Sequence, residues 1–151
     1  MKISDCMKRN VISIDASATV RQAVALCIQH HIGTLPVVDP DRRVIGLITL
    51  QDLLYLVMPD FVRVVEHFEF VHGFGLLEIR QPSQTDLGRS VTEIMGQRVC
   101  VDENAGLLYT AAQLHGTGLI DMPVVDVDGR LIGIASHVDI GLALMGNWQT
   151  G

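Results

Sequence analysis

Basic residues are scarce in this chain: 11 Lys and Arg stand against 17 Asp and Glu, a formal net charge of −6. Binding a phosphate backbone needs a dense cationic face. No Lys/Arg cluster of that kind occurs, so the expectation is no nucleic-acid partner. Cysteine is also sparse. Cys6, Cys27 and Cys100 form neither an even set nor a CxxC spacing, which argues against a disulfide framework and against a zinc knuckle. They read as small buried hydrophobes of a reducing compartment. No run approaches the roughly 20 apolar residues of a membrane span, and Met1-Lys2-Ile3-Ser4-Asp5 lacks the apolar core of a secretory leader. The expectation is a cytoplasmic protein without membrane contact.

What is present in quantity is apolar surface. The 151 residues are 48% hydrophobic and 19% charged, with a mean hydropathy of +0.34, more than a small monomer has to bury. Self-association as a homodimer follows as the default. The length suits one compact domain or two very small ones sharing a core.

The chain reads as two copies of one unit. Leu35-Pro36-Val37-Val38-Asp39 recurs as Met122-Pro123-Val124-Val125-Asp126, and Arg43-Val44-Ile45-Gly46 as Arg130-Leu131-Ile132-Gly133. Both pairs are offset by 87, as are Thr49 with Ser136 and Asp52 with Asp139. Upstream an offset of 88 pairs Ile3 with Val91, Met7 with Met95, Val11 with Val99 and Ala23 with Ala111. This places a one-residue difference between the first helix and the Pro-containing strand. Each copy is expected to run strand, helix, strand, strand, helix. Val20, Ala23, Val24, Cys27 and Ile28 form one apolar stripe of a helix capped by Ser17 or Thr19. Val37-Val38 and Val44 to Ile48 are β-branched runs joined by a turn at 39–42. The last helix of the first copy runs from Leu50 to Pro59, and its counterpart from His137 to Gly146. A unit of about 55 residues buries too little to stand alone. Two copies packed sheet to sheet solve that and open a pseudo-twofold cleft, a natural ligand site.

The connector is unusual. All four phenylalanines, Phe61, Phe68, Phe70 and Phe74, fall there, and Phe61, Val64, Val65 and Phe68 predict an amphipathic helix over about 60–70. It either covers the module's own core or docks on a second chain. Gln81-Pro82-Ser83-Gln84-Thr85 reads as a polar loop. Glu69 and His72 could face one ion at i, i+3, although solvated helix charges explain them more simply. His30-His31 complement the C-terminal dipole of the first helix.

These motifs resemble the CBS-domain family: a hydrophobic-x-Asp/Glu-x-Met start, a helix with a buried Ala, a Leu-Pro-Val-Val-Asp strand, and Gly46-Leu47-Ile48-Thr49-Leu50-Gln51-Asp52 or Gly133-Ile134-Ala135-Ser136-His137-Val138-Asp139 entering the last helix. The resemblance covers residues 3–58 and 91–145, twice in the same order. It implies an α/β (α+β) tandem pair with two β-α-β-β-α repeats: a first domain over 1–58, a connector with its extra helix over 59–90, and a second domain over 91–147. It also implies a non-catalytic regulatory module that binds an adenine nucleotide (AMP, ADP or ATP, with S-adenosylmethionine or NAD as further options), dimerises into a disc and signals to a protein partner.

By the same resemblance Asp52 and Asp139 accept from ribose hydroxyls, a task suited to carboxylates. Thr49 and Ser136 lie at helix starts, where backbone N–H groups favour a phosphate oxygen. Ile12, Thr34 and Leu35, with Cys100, Asp121 and Met122, match the adenine-contacting positions. Pro36 and Pro123 start their strands beside those contacts. His137 resembles the phosphate contact of some gamma subunits of AMP-activated protein kinase, while Leu50 stands in its place in the first copy. A second reading stays open, in which Thr49-x-x-Asp52 and Ser136-x-x-Asp139 are capping boxes of a ligand-free interaction scaffold. Gly46 and Gly133 speak for a ligand, because glycine lets one approach the backbone closely.

Overall fold

The computed structural model describes residues 1–58, 81–149 and 151. In the first lobe β1 (Ile14–Asp15), α1 (Val20–His30), β2 (Thr34–Val38), β3 (Val44–Thr49) and α2 (Leu50–Leu54) follow in order. Two short helices, α3 (Gln84–Gly88) and α4 (Val91–Ile94), precede the second lobe of β4 (Val101–Asp102), α5 (Leu107–Thr117), β5 (Asp121–Val125), β6 (Leu131–Ser136) and α6 (His137–Met145). Each lobe holds one three-stranded sheet, β1-β2-β3 or β4-β5-β6, with a parallel first pair and an antiparallel second. The connector residues 59–80, with the expected helix over 60–70 and the Glu69/His72 pair, lie outside the described residues.

Local chemistry accounts for the elements. Thr19 caps α1: its hydroxyl accepts from the Gln22 amide and the Gln22 side chain accepts from the Thr19 amide. Val20, Ala23 and Cys27 then face inward. The helix closes on His31 in the left-handed region, φ 51°. The Ser83 hydroxyl accepts from the Asp86 amide at 3.0 Å, so the expected polar loop over 81–85 is in part the capped start of α3. The helix expected to reach Pro59 ends at Leu54.

Pro36 and Pro123 sit in mid-strand rather than at the start, and the register explains why this is harmless. Pro36 pairs with Leu47, whose N–H and C=O both bond Gly96 on the other side. Pro123 pairs with Ile134, which is bonded in the same way to Lys8. In an antiparallel sheet these are non-hydrogen-bonded pairs, so no ladder donor is missed.

Those rungs show an exchange that the sequence reading did not assign. The opening segment leaves its own copy: Ile3 and Met7 are buried with Val101, Leu107, Leu114, Met122, Val124 and Ile140 of the second lobe. Reciprocally, Val91, Ile94 and Met95 pack with Ile14, Ala23, Cys27, Leu35, Val37 and Ile48 of the first. The backbone repeats the symmetry, Ile3 donating to Ala105 at 2.8 Å and Val91 to Ala18 at 3.0 Å. The glycines Gly46 and Gly133 belong to this exchange. A Cβ on Gly46 would lie 2.5 Å from the Met95 sulfur, and one on Gly133 2.3 Å from that of Met7. They admit a thioether, not a ligand as the sequence reading held.

The offset is also corrected. β1 with β4, α1 with α5 and Thr19 with Gly106 are all related by 87, whereas Lys8 and Gly96, which make the equivalent rungs, are related by 88. The extra residue therefore lies before β1, and Thr110, not Ala111, is the counterpart of Ala23.

Between the sheets Val38, Val44 and Leu47 meet Val125 and Leu131 in a shared core. The hairpin turns close over it. Asp39 Oδ1 accepts from the amides of Asp41 and Arg43, and Asp126 Oδ1 from those of Asp128 and Arg130. The turns then clasp: Val44 donates to Gly129 O at 3.2 Å and Leu131 to Arg42 O at 3.0 Å, while Arg43 Nε reaches Asp128 O and Arg130 Nε reaches Asp41 O.

Candidate ligand cleft between the repeats

An open cleft of about 510 Å³ lies beside the sheet interface, within the size range of small-molecule sites. Its walls come from both lobes. Gly33 and Thr34 enter from the start of β2, Leu47 and Thr49 from β3, and Leu50, Gln51 and Asp52 from α2. Opposite them stand Gly96, Gln97 and Val99, which lead into the second lobe, and the α5–β5 turn Thr117, Gly118, Leu119 and Ile120. The acidic side chain of one copy thus shares the cleft with the segment that leads into the other.

Three residues expected at the site, Thr34, Thr49 and Asp52, come together here. Asp52 and Thr49 form a full capping box, in which the Thr49 amide (2.8 Å) and hydroxyl (3.0 Å) donate to Asp52 Oδ2 and the Asp52 amide donates back to Thr49 Oγ1. This leaves Asp52 Oδ1 available to a donor from outside the helix. It also occupies the start of α2: the Leu50 amide donates to Gly33 O at 3.0 Å, so two of the first three helical amides are already engaged. Thr34 is different. It is 3% exposed, and among the described residues its hydroxyl has no hydrogen-bond partner. A buried hydroxyl without a partner costs about 1–3 kcal/mol, and this one borders an open cleft.

The other expected residues fall around the cleft or across the axis. Leu35 and Met122 are wholly buried in the two lobe cores, and Pro36 and Pro123 are buried beside them. Ile12 packs against the first core, just before β1. Cys100 lies against the shared core just before β4. There burial pushes its thiol up, against the opposing pull of Arg98; Cys27 is raised by burial alone. Asp121 opens β5 opposite Ser136.

The second half-site differs in charge. Ser136 and Asp139 repeat the capping box, and the His137 amide donates to Ile120 O at 3.1 Å. Here Lys8 Nζ lies 3.5 Å from Asp139 Oδ2, where the first cleft has Gly96. Burial alone would raise the Asp139 carboxyl. The Ser136 amide and hydroxyl, with Lys8, outweigh it and hold the carboxyl below its usual range. Ser136, His137 and Asp139 do not line the 510 Å³ cleft. Among the described residues no group of His, Cys, Asp and Glu is placed to hold a metal ion, and no helix is long and apolar enough to cross a membrane.

Reading the sequence missed Gly96, Gln97 and the Thr117–Ile120 turn. The signal was indirect: the turn is the counterpart of His30–Gly33, which borders the expected Thr34, and Gly96 is the counterpart of Lys8.

Comparison with known proteins agrees with this fold. The chain is 26% identical over 138 residues to the chloroplastic CBS domain-containing protein CBSX1 of Arabidopsis thaliana, covering 88% of this chain and 58% of that one. The chain thus spans little more than half of that relative's length. Among solved structures, CBSX2 in complex with AMP superposes with a TM-score of 0.70 at 25% identity, over 96% of both chains. The CBS domain pair of protein MJ0100, in complex with 5′-methylthioadenosine and S-adenosylmethionine, gives 0.70 at 21% identity over 98% of both. The CBS-domain model matches residues 3–59 and 91–146. The chain belongs to the CBS-domain family, as a tandem pair of its domains.

Proposed function

We propose that this chain is a non-catalytic regulatory module whose cleft at Asp52 receives the adenosine part of an adenine nucleotide or a related ligand. The candidates are AMP, ADP, ATP, S-adenosylmethionine and NAD. The carrying observation is Thr34, which borders an open cleft, is 3% exposed, and has a hydroxyl without a hydrogen-bond partner among the described residues. Asp52 Oδ1 supplies the acceptor for a ribose diol. The AMP carried by CBSX2, alike in fold over almost its whole length, supports the same chemistry. Ligand bridging the two lobes would favour one packing of them over another, and a partner would read the difference. We take the domains as 1–58 and 91–147 joined by 59–90, each completed by the other's opening segment.

Calorimetric titration with adenosine and its derivatives tests the reading. Binding is expected, weakened at least tenfold in Asp52→Ala and several-fold in Thr34→Val, which keeps the shape of the side chain and removes the hydroxyl. Saturation at 100 times Kd adds about 2.7 kcal/mol. Failure of every ligand would favour the scaffold reading, which the fully satisfied capping boxes at Thr49/Asp52 and Ser136/Asp139 support. Leu108, Tyr109, Val138, Leu142 and Trp148 are exposed on or beside α5 and α6, and they are our proposed homodimer contact. Light scattering on Leu108→Glu and Leu142→Glu checks it.

A further inference from the structure

We infer that the Asp52 cleft selects adenosine ligands whose tail carries no phosphate: a neutral nucleoside or thioether, or a sulfonium cation. This rests on the adenosine reading above and narrows it. Among the described residues lining the cleft there is one formal charge, the carboxylate of Asp52, and no Lys, Arg or His. A phosphate needs compensation by cations or by free amide donors, and two of the first three amides of α2 are already engaged. The Thr49 hydroxyl and amide both point to Asp52 Oδ2, the Asp52 amide to Thr49, and the Leu50 amide to Gly33 O. In the hollow on the other side of Asp52, Arg89 is paired with Glu93 at 3.3 Å and Asp86 at 3.7 Å.

The second half-site is the internal contrast. Lys8 stands against Asp139 there, whereas its counterpart Gly96 contributes no side chain to the first cleft. A phosphate dianion several Å from an uncompensated carboxylate at the protein surface is repelled by about 1–2 kcal/mol, which corresponds to about a tenfold loss of affinity.

The test is calorimetric titration of the full chain with adenosine, 5′-methylthioadenosine, S-adenosylmethionine, AMP and ATP. Binding is assigned to this cleft by its loss in Asp52→Ala. The expected order is adenosine, methylthioadenosine and S-adenosylmethionine about tenfold or more ahead of AMP, with ATP weaker still. The gap should narrow in 1 M salt as charges are screened. Gly96→Lys adds a cation at the position Lys8 holds in the other half, and the added Cβ meets only Leu47 O at 3.8 Å. It is expected to move the AMP-to-adenosine affinity ratio about tenfold toward AMP, whatever it does to either affinity alone. AMP or ATP binding here as tightly as adenosine would overturn the inference while leaving the adenosine reading intact. Absence of binding by all five would overturn both.

Discussion

Gly46→Ala separates two accounts of a glycine that recurs in both copies. If the glycine is there for a ligand, alanine should leave the free protein as stable as before and weaken binding. The structure gives the opposite. The new Cβ would sit 2.5 Å from the Met95 sulfur and 3.0 Å from Gly96 O. The thioether can swing aside, but the carbonyl belongs to the rung in which Gly96 donates to Leu47 O at 2.8 Å and accepts from its amide at 3.4 Å. Overpacking of this kind costs about 1–3 kcal/mol, and a lengthened rung adds up to about 1 kcal/mol. For a chain of this size 2 kcal/mol lowers Tm by about 4–8 °C. Urea unfolding without ligand, read by circular dichroism, should show the loss. Met95→Ala in the same chain should recover part of it by emptying the space over the glycine. Unchanged unfolding of Gly46→Ala, together with lost adenosine binding, would refute this account of the exchanged segments.

Further outcomes follow from neighbouring features. Thr34→Val should stabilise the ligand-free protein by about 1 kcal/mol, since it removes a buried hydroxyl without a partner; a fall in the urea midpoint would show that the hydroxyl is satisfied. Arg42→Gly should stabilise by about 0.5–1 kcal/mol in the same assay, because Arg42 has φ 64° where the second copy has Gly129 at φ 82°. The Asp139 carboxyl is lowered on folding, so its contribution is present above the ordinary carboxyl range near pH 4 and is lost as pH falls toward its folded value. Ser136→Ala should flatten that acid limb and cost about 1 kcal/mol at neutral pH, both measurable as Tm against pH. Residues 1–58 expressed alone should show no cooperative melt, because Val91, Ile94 and Met95 are missing from their core.

Much of the fold was legible because its signals are local and doubled. Leu35-Pro36-Val37-Val38 and Met122-Pro123-Val124-Val125 gave the central strands, and Thr49-x-x-Asp52 marked both a cap and a wall of the cleft. The exchange was not legible. Ile3-x-x-x-Met7 packs equally well, by pattern, on either copy, and only tertiary contact with Leu114 and Ile140 decides. The slip in offset has a similar origin. In α5 both Leu107 and Leu108 can start an apolar stripe, while burial chooses Leu107, Thr110 and Leu114, the last places sequence would put a threonine. Thr110 is tolerated because its hydroxyl donates to Gly106 O at 2.9 Å. Gly96 and Gln97 carried no signal of their own, because what matters at Gly96 is the missing side chain.

The crossed opening segments bear on how such a protein could have arisen. A progenitor with a single copy could have completed its interior only by trading that stretch with a second molecule, at a cost set by concentration. Fusing two copies on one polypeptide makes the trade intramolecular, with an effective concentration fixed by the tether. Once joined, the halves no longer need to stay alike: one carries a lysine against its carboxylate and the other a glycine at that place.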